Sequence, residues 1–246
     1  MSPIPPEVLS SLNRGEVESR TLVEGLAVDF AILLRAVCPQ LPRTATEVMR
    51  AAQAEEIAPR MMLAGQIMLQ QLGPTGYLTL ARHRSDTVRS WAAYLLAASP
   101  DFSLGERLQL IRPLANDRNG AVRDWAWRAL RKYVAANVET AIVLMEAWTV
   151  SASPFLRRFV IEATRPVGTH CEEIPDLLVE PSLGLPLIEP LRTDPHQYVQ
   201  DSVANWLDDL SQAQPDWVGD LCERWLAEGP HPSTERICQG ALRNLG

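Results

Sequence analysis

The sequence predicts an all-α fold, an α-solenoid of stacked helix pairs with a concave groove, on three observations. A short signature recurs at regular spacing: Val88-Arg89-Ser90-Trp91-Ala92, Val122-Arg123-Asp124-Trp125-Ala126 and Leu156-Arg157-Arg158-Phe159-Val160 begin 34 residues apart. Each copy opens an apolar stripe at helical spacing, as in Leu156, Phe159, Val160 and Ala163 at i, i+3, i+4 and i+7. No convincing strand pattern of alternating apolar and polar residues occurs. A looser copy, Val199-Gln200-Asp201-Ser202-Val203, follows after 43 residues.

The elements follow in order from the punctuation of the chain. Pro5-Pro6 and Glu7–Leu12 predict a short capped helix, closed by Asn13-Arg14-Gly15. Ser19–Val37 reads as one long amphipathic helix ended by Cys38-Pro39, with Leu22, Leu26, Phe30, Leu33 and Leu34 on one face. Thr44–Gln53 and Glu55–Leu72 form a second pair, stopped by Gly73-Pro74. From Thr75 the units become regular. Outer helices are expected at Gly76–Arg82, Leu104–Leu114, Val138–Trp148 and Leu185–Leu191, and inner helices start near Asp86, Gly120, Pro154 and Pro195. A longer loop at His170–Leu185 accounts for the 43-residue step, and Asp216–Leu226 with Thr234–Leu245 close the array. The whole chain, residues 1–246, reads as a single repeat domain: variant N-terminal helices in 1–73, regular repeats in 74–212, and a C-terminal helix pair in 213–246.

Composition narrows the function classes. Hydrophobic residues make up 46% of the 246, enough to bury a core. The most apolar run, Leu26–Val37, carries Asp29 and Arg35 and is too short to span a membrane. The N-terminus lacks the basic and apolar regions of a signal peptide, so a cytoplasmic location, the bacterial cytoplasm or nucleoid, is expected. Cys38, Cys171, Cys222 and Cys238 have no metal-ligand spacing and read as buried thiols, and no metal or cofactor is expected. The net charge of −7 counts against a simple nucleic-acid binder, but its distribution is uneven. Residues 82–165 hold 13 of the 23 Lys+Arg and 8 of the 30 Asp+Glu. Only Lys132 is a lysine, and arginine is the better fork for phosphate.

The repeat register separates core from face. Trp91, Trp125 and Phe159 occupy one core position, and Trp206 follows an apolar spacing of its own. Trp127 lies about 140° from the stripe set by Val122, beside Asp124 and Arg128, so it is expected outward as a contact residue or packed on a neighbouring repeat. The outward column runs Ser90 and Tyr94, then Asp124 and Arg128, then Arg158 and Glu162, then Asp201, Asn205 and Asp209. Stacked inner helices would gather these along the groove. The plain alternative for Arg158 and Glu162 is a helix-face ion pair at i, i+4.

Two segments carry a family resemblance. R-R-F-V-I-E-A-T-R-P at Arg157–Pro166 resembles the R-R-x-x-x-E-x-T-R-P segment of the bacterial HEAT-like-repeat DNA alkylation-repair glycosylases, in the AlkC branch of the AlkC/AlkD group. Y-V-Q-D-S-V-A-N-W-L-D-D-L at Tyr198–Leu210 is similar to that branch's Y-V-x-x-S-V-A-N-x-L-N-D-I element. The segments Leu12–Gly15, Leu22–Glu24 and Ile237–Arg243 also fit. The resemblance implies an enzyme that excises positively charged N-alkylated bases from DNA by metal-free cleavage of the N-glycosidic bond. It places the catalytic carboxylates on Glu162, Asp209 and Asp124, although Asp124 stands where the related segment usually has glutamate. A cationic base already leaves well, so carboxylates would act by stabilising the oxocarbenium sugar or positioning water. Arg158, Arg157, Arg123, Arg128 and Arg165 are expected on the DNA phosphates, with Trp127 and Tyr94 against the base. The expected partner is double-stranded DNA containing alkylated bases, bound by a monomer with no obligate protein partner. Gln200-Asp201 departs from the basic residues often found there. A non-catalytic DNA-structure-binding relative and a HEAT-like protein-interaction scaffold are the competing readings.

Overall fold

Helix starts in this computed structural model are set by side-chain caps and by prolines. Thr21, Asp29, Ser85 and Ser153 each accept a backbone N–H from the first turn that follows them. Such N–H groups have no partner inside the helix, which is why short polar side chains favour these positions. Proline, lacking that N–H, opens helices at Pro6, Pro154, Pro175, Pro215 and Pro232. The structure describes residues 4–168, 172–229 and 231–244. Among the described residues there are sixteen α-helices, four short 3-10 turns and no strand, and no helix is long and apolar enough to cross a membrane.

The chain packs as two compact units where the sequence reading has one domain: Met1–Ser103 with Asp117–Ala129, and Leu104–Asn116 with Leu130–Gly246. The first unit holds α1 (Pro6–Asn13), α2 (Leu22–Ala27), α3 (Phe30–Val37), α4 (Arg43–Ala51), α5 (Ile57–Leu72), α6 (Gly76–Leu80) and α7 (Asp86–Ala98). Of the next two helices, α8 (Leu104–Ala115) belongs to the second unit and α9 (Gly120–Ala135) lies in the first as far as Ala129. The long helix expected over Ser19–Val37 is broken. Val28 is extended and Asp29 caps α3 through Ile32 N–H, leaving Leu22 and Leu26 exposed while Phe30, Leu33 and Leu34 are buried. The core centres on fully buried Trp91, met edge-on by Phe30 at 5.3 Å. Here α5 and α7 approach so closely that a Cβ on Gly65 would lie 2.5 Å from Tyr94 Cβ, so only glycine fits.

The second unit continues with α10 (Val138–Met145), α11 (Pro154–Ala163), α12 (Pro175–Val179), α13 (Leu185–Ile188), α14 (Gln197–Ser211), α15 (Pro215–Glu228) and α16 (Pro232–Ala241). The stretch read as a loop after residue 170 contains α12 and a 3-10 turn at Pro181–Gly184. Trp148 packs on Phe159 at 5.3 Å, and Trp206 is fully buried with its indole N–H donating to Thr164 C=O at 2.8 Å. Cys38, Cys222 and Cys238 are buried free thiols, as the spacing suggested, while Cys171 lies outside the described residues.

The signature residues also explain the repeat. Arg89, Arg123 and Arg157 each turn Nη1 back onto the two carbonyls six and five residues earlier. Arg89 donates to His83 and Arg84 C=O at 2.9 and 3.1 Å, Arg123 to Asp117 and Arg118 at 2.7 and 3.0 Å, and Arg157 to Ser151 and Ala152 at 2.7 and 3.3 Å. In the fourth copy Gln200 makes the same reach, to Asp194 C=O at 2.8 Å. In the first, third and fourth copies the rest of the side chain reaches a later entry turn. Arg89 grips Asp117 at 2.7 and 3.0 Å, Arg157 grips Asp194 at 2.5 and 3.0 Å, and Gln200 donates to Ser233 Oγ at 3.0 Å. Asp117 and Asp194 in turn accept the N–H two residues on, at 2.8 Å in each case. The arginines expected on DNA at 123 and 157 thus turn Nη1 donors onto these entry turns, where planar forks satisfy carbonyls that helix entry leaves open.

Two predictions follow from this frame. The Arg157 and Asp194 side chains are only 11% and 2% exposed, so Asp194→Ala leaves a buried guanidinium without its carboxylate. A loss of about 3–5 kcal/mol is expected, read as a fall in the urea midpoint; an unmoved midpoint would show the pair to carry no stability. His83 concerns pH. Its Nδ1 accepts the Ser85 N–H at 3.0 Å, which requires a neutral ring. Burial, then the charges of Arg84 and Arg89, hold its pKa below the ordinary 6.5. The unfolded chain then takes up the proton first, so stability is lost as pH falls below 6.5 towards the depressed value. His83→Asn, which keeps an acceptor and removes the titration, should flatten that loss in thermal melts between about pH 7 and 5.

Candidate functional site

In the second unit, α11 and α14 bring together the two motif carboxylates. Along α14, Tyr198, Ser202 and Asp209 recur on one side of the helix; on α11, Arg158 and Glu162 sit one turn apart, and Arg165 follows just past the helix end. Glu162 is 4% exposed. Its Oε1 accepts the Ser202 hydroxyl at 2.6 Å and lies 3.3 Å from Arg158 Nη2; its Oε2 lies 3.8 Å from Arg165 Nη1. Arg165 meets Asp209 in a fork, Nε to Oδ2 at 2.9 Å and Nη2 to Oδ1 at 2.6 Å. Gly168 N–H adds a third bond to Asp209 Oδ2 at 3.1 Å, from a backbone at φ +66° that favours glycine. One guanidinium thus stands between a buried carboxylate, Glu162, and a half-buried one, Asp209. Beside it, Arg158 lies over the Tyr198 ring at 4.3 Å, and Phe155 meets that ring edge-on at 6.3 Å.

The segment Thr164-Arg165-Pro166 acquires a physical reading. Thr164 Oγ1 donates back to Val160 C=O at 2.8 Å and closes the helix, Arg165 turns to Asp209, and Pro166 C=O accepts Ile174 N–H at 2.8 Å. The helix end, the cation and the return of the chain are set by three consecutive residues.

In the first unit, Asp124 and Trp125 line a cleft of about 690 Å³ with Asp86, Ser90, Arg118 and Asn119 on its polar side and Leu22, Leu26, Ile57 and Met61 on its apolar side. Here the structure decides one open reading and reverses another. Trp127, left open between an outward contact and packing, is buried at 4% exposure, whereas Trp125, assigned to the core, is half-buried and lines the cleft. The reason is the width of the buried face of α9: Val122, Ala126, Ala129, Leu130 and Val134 are joined by Trp127 and Arg131, so the 140° offset of Trp127 does not reach solvent. Tyr94 is buried too, beneath Trp125 at 5.9 Å, and burial holds its hydroxyl pKa above the ordinary range. Neither Trp127 nor Tyr94 presents a surface to a base.

The arginines expected as one positive band are all half-buried. Arg123 and Arg157 hold turns, Arg158 and Arg165 hold carboxylates, and Arg128 packs over the Trp127 and Trp125 rings at 4.7 and 5.8 Å. Of the remaining column, Ser90 is buried, and Asp201 is exposed and paired with Arg236. Sequence reasoning missed Ser202, Tyr198 and Trp125; the S-V-A-N motif contained Ser202, but only the packing of α14 on α11 shows that its hydroxyl serves Glu162. The two tryptophans can be told apart in solution: Trp127→Ala should cost about 3–5 kcal/mol, as a buried aromatic does, and Trp125→Ala clearly less. Equal losses in urea unfolding would restore the original core assignment.

With this geometry in place, the chain was compared with known proteins. A family model described as a DNA alkylation repair enzyme matches residues 77–234. The uncharacterized protein YhaZ of Bacillus subtilis strain 168 is 34% identical over 117 residues, 48% of this chain and 32% of YhaZ. Among solved structures, alkylpurine DNA glycosylase AlkC of Pseudomonas fluorescens, bound to DNA containing an abasic site analog, is similar with a TM-score of 0.70 at 22% identity, over 97% of this chain and 62% of AlkC. AlkD2 of Streptococcus mutans is similar with a TM-score of 0.61 at 17% identity, over 82% of this chain and 97% of AlkD2. The structural likenesses bear out the HEAT-like helical-repeat fold class. The chain spans about a third of YhaZ and under two-thirds of AlkC.

Proposed function

The chain belongs to the DNA alkylation repair enzyme family, and we propose that it is a DNA glycosylase that removes positively charged N-alkylated bases from double-stranded DNA. The observation that carries this reading is the convergence of Glu162 and Asp209 on Arg165 within one largely desolvated cluster. An N-alkylated base departs as a neutral molecule, so the leaving group needs neither a proton nor a Lewis acid. What slows the reaction is positive charge building on the sugar. A carboxylate close to that sugar opposes the charge, and a low-dielectric site strengthens the effect.

The two carboxylates are equipped for different parts of this chemistry. Glu162 is held by Ser202 and Arg158 and is the better candidate for stabilising the oxocarbenium sugar. Asp209 accepts two bonds at Oδ2 and one at Oδ1 among the described residues, so Oδ1 is the atom suited to orient an attacking water. Asp124, beside Trp125 in the first unit's cleft, is a separate candidate carboxylate. Arg158 is the candidate phosphate contact, with its guanidinium already oriented by Tyr198.

A second reading, a binding-only relative, is favoured by the completeness of the Arg165–Asp209 pair, which resembles a structural fork as much as a catalytic acid. Excision separates the two. Glu162→Gln and Asp209→Asn keep shape and remove charge, and each should slow release of free methylated base from methylated DNA by roughly tenfold to a thousandfold. Affinity for undamaged DNA should hold or rise, because repulsion with phosphate is relieved. Full activity in the double variant would overturn the mechanism, and no release by the unaltered protein from any alkylated DNA would favour the binding-only reading.

A further inference from the structure

Arg131, on the part of α9 that lies in the second unit, is a buried cation that the chemistry above does not use. Its side chain is buried at 3% exposure. Three of its donors go to main-chain carbonyls: Nε and Nη2 to Glu172 C=O at 3.1 and 2.7 Å, and Nη1 to Ala163 C=O at 3.3 Å. Ala163 is the last residue of α11, and Glu172 lies nine positions further along the chain. Between these two anchors in sequence stand Arg165, which forks onto Asp209, and Gly168, whose N–H completes Asp209 Oδ2. The neighbouring carbonyl, Thr164 C=O, is held by the Trp206 indole on α14.

We infer that Arg131 is a positioning residue for the proposed site: by holding Ala163 and Glu172 on one guanidinium, it sets the path of the chain that aims Arg165 and Gly168 at Asp209. A helix end has carbonyls without internal partners, and a charged donor there is both strong and directional. Lysine offers one compact ammonium in place of a planar fork and cannot reach both carbonyls in the same geometry. Misplacement of an oriented group by about 1 Å is enough to cost on the order of a hundredfold in rate. The effect of Arg131 therefore passes through the Arg165–Asp209 pair. It does not come from contact with DNA, since a side chain buried to this degree presents nothing to a ligand.

This inference rests on the proposed reaction, and its test separates the two. Arg131→Met and the milder Arg131→Lys are compared with the unaltered protein, alone and combined with Asp209→Asn. Single-turnover release of methylated base from methylated DNA is measured for each, together with amide hydrogen exchange of residues 164–168. Arg131→Met should slow release by at least about tenfold and raise exchange at Gly168, with Arg131→Lys intermediate. In the Asp209→Asn background the same change should cost less than about twofold, because the pair it positions is already broken. Equal slowing in both backgrounds, or exchange at Gly168 left unchanged, would overturn the assignment. If Arg131→Met fails to fold, Arg131→Lys carries the same comparison. If the unaltered protein releases no base, the proposed reaction fails and exchange at Gly168 alone decides: raised exchange supports Arg131 as the positioning group, and unchanged exchange overturns it.

Discussion

The interaction on which the rest of this structure depends is the double reach of one polar side chain in the first, third and fourth repeat copies. Arg89, Arg157 and Gln200 each bind the turn that starts their own helix and then the turn that starts a later one. Apolar packing, as of Trp91, Phe159 and Trp206, contributes burial free energy, but burial is non-directional and does not specify an interhelical offset. A guanidinium does specify one, because its donors lie in a plane at set angles and its reach is limited. The fork sets the offset between α11 and α14, and the candidate site inherits it: Glu162 and Asp209 share one cation because the helices that carry them are held in that offset.

Much of the fold was legible because it rests on local rules. Helix starts at Asp86, Gly120 and Pro154 agree with the repeat register, since caps, prolines and apolar spacing all act within one turn. The expected single helix over 19–37 failed for an equally local reason. The wheel of Leu22, Leu26 and Phe30 was continuous, but Asp29 gains more as a cap for Ile32 N–H than as an interior helix residue. The division into two units crosses α9, and no composition shift marks it.

The site was legible in its residues and obscure in its connections. Glu162 and Asp209 stand together on Arg165, which the sequence reading places on phosphate with the rest of the arginine surplus in residues 82–165. Much of it is spent inside the molecule, on entry-turn carbonyls by Arg89, Arg123 and Arg157, on a helix end by Arg131, and on carboxylates by Arg158 and Arg165. Local charge counts do not separate these uses, because a guanidinium that satisfies carbonyls leaves no mark on composition. The exchange of Trp125 and Trp127 has a similar origin. A single-stripe wheel assumes one buried face, and α9 is packed on more than one side.

The fourth copy of the tie has a consequence for how such a chain can change over time. Where the first and third inner helices are bridged onward by the Arg89–Asp117 and Arg157–Asp194 ion pairs, Gln200 and Ser233 make a neutral connection of the same reach. The two solutions are interchangeable only as pairs. A lone loss of the acid strands a buried cation, and a lone loss of the arginine strands a buried anion, so each one-step route between them passes through a poorly folded intermediate. Neighbouring repeats are thereby coupled in inheritance as they are in space: the turn of one unit and the helix of the unit before it must drift together or stay as they are.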